Sequence, residues 1–101
     1  MITIKIERNI KNEIVSFSLN GHAGYDVNGK DIVCAAASSI ATTTVNGILA
    51  LNKESLSYEV SDKGLTIEVV NTDNVTQTLI NNMVNLLKDL EEQYPENIEV
   101  K

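Results

Sequence analysis

The stretch IVCAAASSIATTTVNGILALN, Ile32 to Asn52, contains no charged residue, and its reading decides the fold. As a membrane span it would make the rest of the chain an appendage. As a buried helix it makes the chain one folded unit. Its length would suffice for a span, but Ser38-Ser39, Thr42-Thr43-Thr44, Asn46 and Gly47 interrupt the apolar character and make it a poor spanning helix. Ala35-Ala36-Ala37 favours helix, and the three threonines are tolerated where packing supplies the stability. The stretch therefore reads as a helix of a soluble domain, capped by Asp31 and running to about Leu51. Val33, Ala37, Ile40, Val45, Ile48 and Leu49 are apolar and the other side chains are small. Such a helix is expected to be buried on more than one face, against other layers or a second subunit.

The flanking segments supply those layers. Upstream, Ile2, Ile4 and Ile6 alternate with Thr3, Lys5 and Glu7, which is the period of a half-buried strand. Arg8 to Glu13 reads as a turn, and Ile14 to Asn20 as a second strand with Val15, Phe17 and Leu19 on one face. Ala23 to Lys30 reads as a loop, with Gly24, Asn28 and Gly29 able to bend sharply. Downstream, Leu56, Tyr58 and Val60 alternate, Asp62-Lys63-Gly64 forms a turn, and Leu65, Ile67 and Val69 alternate again as the partner strand. Thr72 or Asp73 caps a second helix carrying Val75, Leu79, Ile80, Met83, Leu86, Leu87 and Leu90 at helical spacing. That helix ends before Pro95. Asn97 to Val100 adds a short last strand. The predicted fold is α+β in the order β-β-α-β-β-α-(β), with mostly antiparallel strands packed around two helices, as a single domain over 1–101.

Composition narrows the function. The chain has 101 residues, is 43% hydrophobic and carries a formal charge of −6. An acidic chain lacks the clustered Lys and Arg that direct nucleic-acid binding needs, but it would attract a basic partner. A single cysteine rules out an internal disulfide, and the N-terminus lacks the pattern of a secretory signal, so a cytoplasmic setting and no membrane attachment are expected. The paired spacing of a zinc site is missing, as are the glycine-rich nucleotide motifs, so neither metal nor cofactor is expected.

The chemistry concentrates in Cys34 and His22, the only residues of their kinds. A lone cysteine on an apolar helix is most often a small buried hydrophobe. Placed just after a cap at Asp31, however, the thiol would meet the unpaired N–H groups of a helix start, which favour a thiolate. The amides of Cys34 and Ala35 would there face an oxyanion. His22 reads either as a surface residue at a strand end or as the base for that thiol. Asp31 reads as a cap or as an orienting carboxylate, and Asp26 is a weaker candidate for a third member. Ser38, one turn beyond Cys34, reads as a packing residue or as a hydrogen-bond donor to thiolate or substrate.

Gly21-His22-Ala23, Gly29, Asp31-Ile32-Val33-Cys34-Ala35-Ala36 and Ser38 together resemble the signature of the ribosomal-processing cysteine protease family called Prp, and the likeness spans nearly the whole chain. Ala37 and the wording Gly24-Tyr25-Asp26-Val27 are this chain's own. The resemblance implies a homodimeric cysteine endopeptidase that removes the N-terminal extension from large-subunit ribosomal protein twenty-seven, a basic partner. It implies Cys34 as nucleophile and His22 as general base and acid. Gly21, Gly29, Asp31, Ala35 and Ser38 would be supporting or substrate-binding positions, and residues 23–30 a loop closing over the substrate. The alternative reading is a non-enzymatic ribosome-associated assembly or interaction module, with the charge-free helix as its interface.

Overall fold

A computed structural model describes residues 1–21, 28–62 and 64–101, with residues 28–31 described by their backbone. Seven elements follow in order: β1 (Ile2–Arg8), β2 (Ile14–Asn20), α1 (Asn28–Leu51), β3 (Leu56–Ser61), β4 (Gly64–Val69), α2 (Asn74–Gln93) and β5 (Ile98–Val100). This is the predicted α+β order, with the final strand formed. The strands make one mixed sheet in the order β3-β4-β2-β1-β5. Neighbours are antiparallel except β5, which runs parallel to β1 with Ile2 opposite Ile98 and Ile4 opposite Val100.

Register explains the two layers. Ile4 faces Leu19, Ile6 faces Phe17, and Leu19 and Phe17 face Leu65 and Ile67 on the next strand. Paired residues project to the same side of a sheet, so these side chains form one apolar floor. Lys5, Ser16, Ser18, Thr66 and Glu68 lie on the opposite, polar side. Both helices close over the apolar floor, and Ile2, Ile4, Phe17, Val33, Ile48, Ile67, Ile80, Met83, Leu87 and Ile98 are buried there.

The sequence expectation fails locally on β2 and on α2. At the start of β2 the register shifts, so that Arg8 pairs with Ile14 while Glu7 pairs with Ser16. Val15 is the extra residue of a bulge, and Ile14 rather than Val15 is fully buried. On α2, Val75 and Leu86 are exposed, and Thr76 and Val84 are buried in their place. They flank a stripe that runs through Ile80, Met83, Leu87 and Leu90 at three- and four-residue intervals. The cap of α2 is Asp73, which accepts a 2.8 Å hydrogen bond from the Thr76 N–H. That backbone bond, with help from the Thr76 side chain, holds the Asp73 carboxyl below its ordinary range.

The larger differences concern α1. It begins at Asn28, three residues ahead of the expected cap. Gly29 and Asp31 therefore belong to its opening turn. Residues 28–30 are thus helical rather than part of a loop, and the remainder of the expected closing loop lies outside the described residues. Within the single chain, α1 is also buried on one face only, through Val33, Ala37, Ala41, Val45 and Ile48. The opposite side, including Ala35, Ser39, Thr43, Asn46 and Ala50, is exposed. Ile32–Leu51 is long and apolar enough to cross a membrane, with a mean hydropathy of 1.5, yet its regular buried stripe makes it a core helix of this domain.

Candidate functional site

β2 ends at Asn20, which pairs with Gly64 at the start of β4; Gly64 in turn pairs with Ser61 at the end of β3. Three strand termini therefore meet at one end of the sheet. From there the chain leaves β2 through Gly21 toward His22, and it returns as α1.

Gly21 has a φ of +100°, a backbone conformation suited to glycine. A Cβ added to it would run into the Met1 carbonyl oxygen. The residue before His22 is therefore fixed by backbone packing against Met1, just ahead of β1. His22 and Asp26 lie outside the described residues.

Cys34 is a free thiol in the second turn of α1. It is half-buried, with part of its side chain against the core and part accessible. That differs from both a sealed structural cysteine and a fully solvated one. The earlier helix start changes its electrostatics. The unpaired N–H groups of a helix belong to its first four residues, which here are 28–31. The amides of Cys34 and Ala35 lie where a regular helix uses them internally. The expected oxyanion role of these amides assumed a helix starting just before them, whereas α1 starts at Asn28, and the dipole effect is strongest in that first turn. Ala35 is exposed on the helix surface.

Ser38 lies four residues on from Cys34, about 6 Å along the axis on the same side of the helix. It lines a cleft of about 250 Å³ between α1 and the β3–β4 hairpin, together with Leu19, Ala41, Thr42, Val60 and Leu65. Val60 projects to the helix side of the sheet, opposite Leu65, yet is 70% exposed. Of this cleft the sequence marked only Ser38. The Asp-x-Gly turn that sets Val60 opposite Leu65 was legible, but not its approach to Thr42. Among the described residues no group of three or more His, Cys, Asp or Glu side chains is placed to hold a metal.

These features define a small α+β domain built around one accessible thiol beside an apolar cleft. Over residues 1–99 the sequence matches the family described as cysteine protease Prp. It is 36% identical over 101 residues to the ribosomal processing cysteine protease Prp of Staphylococcus aureus (strain Mu50), covering 97% of this chain and 95% of the relative. Against the Bacillus subtilis (strain 168) protein of that name it is 26% identical over 107 residues, covering 99% and 96%. The crystal structure of the S. aureus essential ribosomal processing protease Prp in complex with a substrate peptide superposes with a TM-score of 0.90 at 34% identity, covering 100% of this chain and 98% of that one. The same enzyme with a covalently linked product peptide gives 0.89 at the same identity and coverage. The chain belongs to the Prp family of cysteine proteases.

Proposed function

We propose that this protein is a cytoplasmic, homodimeric cysteine endopeptidase that removes the N-terminal extension of large-subunit ribosomal protein twenty-seven, with Cys34 as nucleophile and His22 as general base and acid. His22 takes the Sγ proton of Cys34, and the thiolate adds to the scissile carbonyl carbon. The tetrahedral adduct collapses, its C–N bond breaks, and the leaving amine takes the proton from His22. Water, deprotonated by His22, then hydrolyses the thioester and restores the thiol. Gly21 sets the direction from which His22 leaves the sheet. Gly29, Asp31, Ala35 and Ser38 have supporting roles around the nucleophile. The net charge of −6 favours encounter with a basic ribosomal substrate.

The observation that carries this reading is the half-exposed Cys34 in a chain that aligns along its whole length with a protease holding a covalently linked product peptide. The test is conversion of the extended precursor by purified protein. Cys34→Ala is expected to abolish cleavage with unchanged circular dichroism, and His22→Ala to slow it at least about a hundredfold, the usual share of a general base. Undiminished processing by Cys34→Ala would remove Cys34 as the nucleophile, and no cleavage by the wild-type protein would return it to the class of non-enzymatic assembly modules.

A further inference from the structure

We infer that a second cleft, between the last turn of α1 and the first turns of α2, is an exosite that holds a cationic segment of the substrate protein by one large apolar side chain. The inference rests on the proposed protease reading and adds to it an attachment point remote from the bond that is cut.

The cleft measures about 230 Å³, and Ile48, Leu51, Val75 and Leu79 form its apolar walls. Leu51 is 69% and Val75 55% exposed, although their helices pack against each other. Val70, also exposed, lies beside them, its N–H donating at 2.8 Å to the carbonyl of Ser55, which lines the cleft. Exposed apolar residues are ordinary when scattered, but three converging on one concave site mark a surface that a partner covers. Among the described residues lining the cleft, Asp73 alone is charged. The Thr76 N–H donates to its Oδ1, and the carboxylate keeps further lone pairs for a Lys or Arg. Lys53 and Glu54, on the turn that follows α1, offset each other, so the rim stays negative.

Charge decides the occupant. A second copy, with a net charge of −6, brings few cations to Asp73, whereas a basic ribosomal substrate brings them in excess. Size limits it further. One helical turn about 10 Å across fills roughly 400 Å³, so the cleft takes a side chain and not a packed helix. Along α1 the rise from Cys34 to Leu51 is about 25 Å. At about 3.3 Å per extended residue, the anchored side chain lies at least about eight positions from the scissile bond. Such an attachment adds affinity without touching the reacting atoms, so it lowers KM and leaves kcat alone.

Two substrates with the same cleavage sequence provide the test. One is a synthetic peptide with about five residues on each side of the bond, too short to reach the cleft; the other is the whole extended precursor. With the wild-type enzyme, KM should be about ten- to a hundredfold lower on the precursor at equal kcat, the range carried by one buried large side chain. Leu51→Lys, which also repels a cation, and Val75→Ser should each raise the precursor KM toward that of the peptide. Both positions are exposed, and either variant suffices should the other not fold. Neither should change KM or kcat on the peptide, nor the rate at which iodoacetamide alkylates Cys34. Equal KM on the two substrates, or variant losses that are the same on both, would overturn the exosite and leave the protease reading intact. Altered sedimentation of the variants with an unchanged precursor KM would assign the cleft to a second copy and also overturn it. Absence of cleavage of either substrate by the wild-type protein would remove both readings.

Discussion

Gly21 shows how far one residue's backbone can determine a site. Its φ of +100° and the proximity of the Met1 carbonyl each exclude a Cβ, for different reasons. The first is intrinsic to an L-residue, at about 1–2 kcal/mol; the second is steric and local. Gly21→Ala should therefore lower stability by at least about 1 kcal/mol, read as a lower urea midpoint at constant slope. It should also reduce processing under conditions where the variant remains folded, because His22 follows directly. The motif pointed to Gly21, but its reason is a contact between the end of β2 and the start of β1. Cys34 gives the opposite case. Its identity was plain in the sequence, whereas the electrostatic reason expected for a reactive thiol there depended on a helix starting at Ile32, and α1 starts four residues earlier.

At the level of elements, α2 and β2 are joined by one side chain. The Gln77 Nε2 donates to the Ile14 carbonyl and its Oε1 accepts from the Ile14 N–H, both at 2.8 Å. The amide thus takes the place of a neighbouring strand just where the Val15 bulge interrupts the pairing. Gln77→Leu, close in size, would leave both backbone groups without these partners. A loss of about 2 kcal/mol is expected in urea unfolding, and Gln77→Glu, which can only accept, should fall between. Elements with strong periodicity were legible from sequence: the alternation of Ile2, Ile4 and Ile6, and the spacing of Ile80, Met83, Leu87 and Leu90. The bulge was not, because Ile14 and Val15 are equally β-prone and only the β1 register decides between them. The Gln77 clamp was invisible for a related reason, since it joins positions 63 apart and Gln77 looks like an ordinary polar residue on a helix surface.

For the molecule as a whole, the outer face of α1 is the unbalanced feature. A helix that carries no charge from Ile32 onward and buries only one stripe leaves Ala35, Ser39, Thr43, Asn46 and Ala50 facing outward. In the proposed homodimer this face is the surface to be covered, its small side chains allowing close approach. Sedimentation should give about twice the 11.1 kDa chain mass, and Thr43→Glu with Ala50→Glu should return it to the single-chain value, because unpaired charges are costly to bury.

The sheet also sets a schedule for the newly made chain. β1 and its parallel neighbour β5 are separated in the chain by every other described element, with Ile2 N–H bonded to the Asn97 carbonyl and Lys101 N–H to that of Ile4. During translation the outer edge of β1 waits, unpaired, for the last strand to emerge. Contacts between such distant positions are slow to form, and an open edge invites pairing with other chains. Closure of the β1 edge is thus tied to the release of β5 from the ribosome.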